Sequence, residues 1–166
     1  MSIRGETEPS RIAAVLRERI YGGIACLSTL LVLARADEHE PWLALLDVAV
    51  ATGALWAASL FADVVAHLAA HGSAPRGAEL TGTLRASGQI LEAAVVPALL
   101  LLLAGLGVLR TEAALRAGIW VSVVALGIFA SLAVRRTGLP FWKRTLLVAI
   151  LVGIGALVIL AKTVAH

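Results

Sequence analysis

Residues Leu43 to Ala70 form an apolar run that is not free of charge: Asp47, Asp63 and His67 lie within it, and His71 follows at its end. A run of about 20 mostly apolar residues is long enough to cross a bilayer as a helix. Carrying an ionisable group into hydrocarbon costs several kcal/mol, so such groups usually face a bundle interior, a cavity or a functional path. This one segment sets lipid as the solvent of the chain and supplies its first candidate site.

The composition agrees. Hydrophobic residues make up 60% of the chain and charged residues 15%, against roughly a half and a quarter in soluble domains. At about 20 residues per span, 166 residues leave room for several spans and no sizeable soluble domain. The net charge of +3 does not point to nucleic acid, because the basic residues sit at span ends and not in a tract. Cys26, the one cysteine, lies inside a span, which excludes an intrachain disulfide and a cysteine metal cluster. Walker, dinucleotide and H-E-x-x-H motifs are absent, as is any repeat of the kind that builds inverted-topology transporters. A soluble-type nucleotide enzyme is therefore excluded; an enzyme is the less favoured reading, open only as a membrane metalloenzyme, and no cofactor is expected apart from a divalent metal.

The pattern predicts an all-α bundle of five transmembrane helices: a polar tail over 1–10 and one transmembrane domain over 11–166, with spans near 12–35, 43–70, 89–109, 115–134 and 144–163. Ser10 is placed as the cap of the first helix. Arg17 and Arg19 extend span one by snorkelling to the interface. Ala34, Arg35 and Ala36 imitate a signal-cleavage site, but the long leader with Glu6, Glu8 and Glu18 argues for an uncleaved span. Residues 72–89, rich in Gly, Ser and Pro, read as a connection, and Arg110 to Arg116 as a tight turn. With the N-terminus inside, ten basic residues fall on inner segments and four (Arg35, Arg110, Arg116 and Lys162) on outer ones. The positive-inside rule thus places the N-terminus in the cytoplasm and the C-terminus outside, with Trp42 and Trp142 at the outer and inner interfaces. The heavy use of Ala, Leu, Arg and Gly fits a bacterial inner-membrane protein.

At about 100° per residue, Thr52, Trp56, Ser59, Asp63 and His67 share a stripe of span two, with His71 at its edge and Asp47 pointing away as an outer-face residue. Arg17, Tyr21 and Ser28 share a face of span one, and Arg85, Gln89 and Glu92 a face of span three, at the same inner depth. These groups admit three uses. Asp63, His67, Glu92, Ser59 and Tyr21 suit a cation or proton path through an oligomeric bundle, since His titrates near neutral pH. Asp63, His67, His71 and Glu92 offer an oxygen and nitrogen set for a divalent metal. Paired with Arg17, Arg19 or Arg85, the carboxylates instead clamp helices in an accessory or structural subunit of a larger complex. Small residues at Gly22, Gly23 and Ala25, at Gly53, Ala54, Ala57 and Ala58, and at Gly153 and Gly155 predict close packing, within the chain or between protomers.

The segments RERIYGGIACLSTLL, ALWAASLFADVVAHL and GQILEAAVVPALLLLL resemble a set of small integral membrane proteins of actinobacteria. That resemblance covers most of the chain and implies a polytopic helical bundle without implying an activity. Span one alone is also similar to the first helix of prokaryotic TMEM175-type potassium channels, which opens with Arg and then Phe-Ser-Asp-Gly. Here Arg17 is followed by Tyr21, Gly22, Gly23 and Ile24, without the Ser-Asp pair, and the similarity implies a channel-like helical domain.

Overall fold

A computed structural model describes residues 8–35 and 40–135, with side chains over 12–35 and 40–132, and the single positions 142, 143, 146 and 149. Four helices make up the two long segments: α1 (Glu8–Leu33), α2 (Pro41–His71), α3 (Ala78–Gly105) and α4 (Thr111–Arg135). Three stretches, Pro41–His71, Ala78–Gly105 and Thr111–Leu132, are long and apolar enough to cross a membrane. The described residues are thus all-helical, with three helices that by length and composition suit a membrane protein. Expected span five, 144–163, lies outside the described residues except for the single positions 146 and 149.

Local chemistry explains the boundaries, including three that differ from expectation. α1 starts at Glu8, ahead of the expected Ser10 cap; Pro9 follows it, and Pro is tolerated in a first turn, where its missing N–H has no helical partner. α2 starts at Pro41 for the same reason, and the Glu40 carboxylate accepts the Leu43 N–H at 2.7 Å. Gly72 ends it in the left-handed conformation at φ 68°, its N–H donating to Leu68 O. α3 begins at Ala78, eleven residues before the expected start at 89. The breakers of that connection, Gly72, Pro75 and Gly77, are confined to its first part, and the isolated Gly82 and Gly88 do not stop the helix. α4 begins at Thr111, not near 115, because the turn is completed by Gly107 at φ 77°.

The helices run up and down, so the ends of α1 and α3 alternate with those of α2 and α4. α1 packs against all three other helices, and α3 does the same; α2 and α4 flank that central pair. Gly22 is the crossing point: a Cβ there would lie 2.6 Å from both Cα and O of Ile90, so the α1 and α3 backbones touch. At the other end the Trp42 ring rests on Gly105, 2.8 Å from where a Cβ would be. Pro97 continues α3 without interruption and packs near Gly118 of α4. Cys26, Leu30, Val48, Leu101 and Leu115 fill the core toward that end.

Among the described residues α2 is the least buried of the three apolar helices: only 17% of its apolar window is buried, against 33% for α3 and 28% for α4. Its ridge of small residues receives no neighbour from within the chain among the described residues: Ala54, Ala57 and Ala58 are exposed, and a Cβ on Gly53 would meet nothing within 4 Å. The reason is that α1, with its polar triad Arg17, Glu18 and Arg19, gains most from leaving lipid and takes the centre. The corresponding small residues of α1 do pack closely, with Gly22 against Ile90 and Gly23 against Leu126. Gly153 and Gly155 lie outside the described residues.

Candidate functional site

One end of the bundle carries a layer of polar side chains that α1 binds to its neighbours. Counting about 1.5 Å per residue from the opposite helix ends, Arg19, Ser59 and Glu92 lie roughly 20–27 Å along, within the length of a spanning segment of about 30 Å. The layer therefore sits inside one edge of the apolar slab.

Glu18 is its most buried member, 2% exposed. Its carboxylate accepts the Ser59 hydroxyl of α2 at 2.7 Å and the Arg17 Nε at 3.0 Å. Arg17 reaches on to Asp63, 3.9 Å away, so α1 and α2 are joined by Glu18, Ser59, Arg17 and Asp63 together. Glu18 stands four, eight and twelve residues before Gly22, Cys26 and Leu30, all buried on the same face. That four-residue spacing on a face of small residues is the signal that identifies Glu18 as interior. Reading it only as part of a polar leader overlooked it.

Arg19 joins α1 to α3. Its Nη1 donates to Gln89 Oε1 and to Glu92 Oε2, each at 2.9 Å, while Gln89 Nε2 donates to Glu92 Oε1 at 2.9 Å. Its guanidinium also lies 4.6 Å from the ring centre of Phe129 on α4, an arrangement in which cation and ring attract. A single arginine thus bridges three helices.

Farther out, His67 Nε2 of α2 lies 3.5 Å from Glu79 Oε2 of α3, an ion pair when the imidazole is protonated. His71 stacks on His67 at 4.3 Å between ring centres, and its Nδ1 is 3.3 Å from His67 O.

The sequence-selected residues therefore divide. Ser59 and Asp63 meet α1, Glu92 meets α1 through Arg19, and His67 meets α3. Asp63 and Glu92 belong to different clusters, held by Arg17 and Arg19 respectively. Tyr21 is 54% exposed and stands outside the layer. Arg85 is exposed and has no ion pair among the described residues, so its expected part falls to Arg19. Asp47 is exposed toward the Trp42 end, outside the layer, where Arg116 pairs with Glu112 at 3.5 Å. Among the described residues no three His, Cys, Asp or Glu side chains converge to hold a metal ion. Arg19 Nε and Ser87 Oγ are buried with no hydrogen-bond partner among the described residues.

Chemically, the arrangement neutralises charge. Glu18, Asp63 and Glu92 each face an arginine, and each such contact except Arg17–Glu18 crosses between helices. Compared with family models, with curated proteins and with solved structures, the chain matches none of them.

Proposed function

We propose that this chain is an accessory or structural subunit of the bacterial inner membrane, in which the polar layer clamps helices together while the apolar outer faces meet lipid and protein partners. The observation that supports this most is the pairing of Glu18, Asp63 and Glu92 with Arg17 and Arg19 across α1, α2 and α3. A buried charge that is matched and hydrogen-bonded persists in the fold, whereas one left alone would shift or leave. In this reading the N-terminus is cytoplasmic, a fifth span carries the C-terminus outside, and the polar layer faces the cytoplasm; the ten-to-four distribution of basic residues supports that orientation. The bilayer is one partner, and a homo-oligomer or a larger membrane complex is the other.

A second reading, permeation of a cation or proton through an oligomer, is favoured by one feature: three carboxylates and a hydroxyl gather at a single mouth. Flux across proteoliposomes separates the two. The clamp predicts that the purified wild-type protein passes no more K⁺ or H⁺ than empty vesicles, and that Asp63→Asn and Glu92→Gln lower thermal stability or partner co-purification. Wild-type flux abolished by those substitutions would replace the clamp by a permeation path. A divalent-metal role for Asp63, His67, His71 and Glu92 is kept only if untagged protein carries stoichiometric metal by elemental analysis.

A further inference from the structure

α2 and α4 flank the α1–α3 pair, and each leaves one side uncovered among the described residues. They run in the same direction, both starting at the Trp42 end. On α2, Asp47, Val50, Ala54, Ala57, Phe61 and Val65 are exposed at spacings of three and four, so they share one outward stripe. On α4, Arg116, Trp120, Val123 and Val124 are exposed on another. Two helix contacts set these stripes at one height. Trp42 rests on Gly105, and Pro97 lies 3.6 Å from where a Cβ on Gly118 would be. The rise from Pro97 to Gly105 is about 12 Å, so Asp47 lies about 4.5 Å nearer the Trp42 end than Gly118 does, and Arg116 about 3 Å nearer. On the other side of Gly118, Ala57 and Val124 fall at about 10.5 and 9 Å.

Asp47 calls for a counter-charge. Its side chain has no hydrogen bond or ion pair among the described residues, and it stands about 7.5 Å below Trp42, a residue type that marks the membrane interface. With a single methylene it cannot reach out to water as Lys and Arg do, and a charge facing hydrocarbon costs several kcal/mol. The same end of α4 carries Arg110, Glu112 and Arg116, one positive charge in excess. Arg116 gives Nη2 to Glu112 at 3.5 Å, and its exposed guanidinium has further N–H groups for a second acceptor. Below that level the sizes correspond too, since the large Trp120, Val123 and Val124 stand at the height of the small Gly53, Ala54 and Ala57.

We propose that a second copy of this chain docks on these faces, the α2 flank of one copy against the α4 flank of the next, with Asp47 facing Arg116. The two faces differ, so the contact is head-to-tail; copies joined by it form a ring if the rotation closes and a filament if it does not. The small residues of α2 let the backbones approach, which is what drives association between helices in lipid. The inference rests on the subunit reading only in giving the outer faces a protein partner, and it names that partner.

Disulfide trapping in native membranes tests this. Two differently tagged chains are co-expressed, one with Ala57→Cys and the other with Val124→Cys, and the wild-type chain, whose Cys26 is buried, is the control. All the substituted positions are exposed and outside the polar layer, so the result stands apart from the flux measurement that decides the clamp. Oxidation is expected to link the two tags, and a chain carrying both cysteines is expected to give species larger than a dimer. Asp47→Arg on the Ala57→Cys chain brings like charges together and is expected to lower the yield about tenfold; adding Arg116→Asp on the Val124→Cys chain is expected to restore it. Ala57→Cys chains linked mainly to one another, as in a symmetric α2 pair, would overturn the proposal. So would no link between the tags, as when lipid or residues 144–163 cover either face, or equal yields from all the charge variants.

Discussion

α2 is the longest of the described helices, 31 residues with no more than two charges in its most apolar window, yet it lies at the edge of the four. α1 carries Arg17, Glu18 and Arg19 in succession, yet it buries Glu18, Cys26, Leu27, Ser28 and Leu30 and touches every other helix. In water the ranking would be the reverse. In lipid an apolar side chain gains little by exchanging acyl chains for protein, so association is driven by close packing and by polar contacts. The helix least suited to hydrocarbon is therefore the one the others surround, and small residues on its face let them come near enough to do so.

The strongest way to break this contrast is to place the same substitution on both helices. Gly22→Val puts atoms where the Ile90 backbone already lies, 2.6 Å from the new Cβ, and backbone cannot yield as a flexible side chain does. The expected loss is about 3 kcal/mol or more, at the upper end for an overpacked interior. Gly53→Val meets open space, and its stability is expected to change by less than about 0.5 kcal/mol, as for surface positions generally. Unfolding in graded denaturing detergent measures both. Equal losses would remove the claim that α1, and not α2, is the packed helix.

A middle-sized effect is expected where the polar layer joins the two helices. Glu18→Ala deprives the Ser59 hydroxyl of its 2.7 Å acceptor and Arg17 of its buried partner, although Arg17, half exposed, finds other solvation. The expected cost is about 1–3 kcal/mol, the usual range for stranding a buried polar group. Asp63→Asn weakens only the 3.9 Å contact between partly exposed groups, and less than about 1 kcal/mol is expected by the same unfolding measurement. If Asp63→Asn costs more than Glu18→Ala, the layer is centred on α2 after all.

How much of this was legible follows from the kind of signal involved. Three apolar helices and the inward stripe of Ser59, Asp63 and His67 could be read directly, because length, hydropathy and 3.6-residue periodicity are local. The close approach at Gly22 was also local, since only small residues permit it. The choice of Arg19 over Arg85 as the partner of Glu92 was not. Both are arginines near the same depth, and the selection is made by the crossing of α1 and α3, which places Arg19 between Gln89 and Phe129. The centrality of α1 was hidden for a related reason. A hydropathy ranking rewards α2, whereas burial in lipid follows polarity and shape.

The smallest expected effect bears on what α2 does with its unoccupied side. Ala57 and Gly53 stand one turn apart on the outward ridge, with Ala54 and Ala58 beside them. If lipid alone covers that ridge, Ala57→Leu merely exchanges one hydrocarbon surface for another, and stability should stay within about 0.5 kcal/mol of wild type. Small-xxx-small ridges also bring helices of two protomers together, and a leucine there would hold them apart. The clamp reading places no interior demand on this face, so the expected outcome is unchanged monomer stability. The decisive quantity is then the ratio of cross-linked dimer to monomer in native membranes. An unchanged ratio leaves α2 as a lipid-facing flank, whereas a fall in dimer with the monomer equally stable would make its ridge an interface and shift half of the contrast with α1 from solvent to partner.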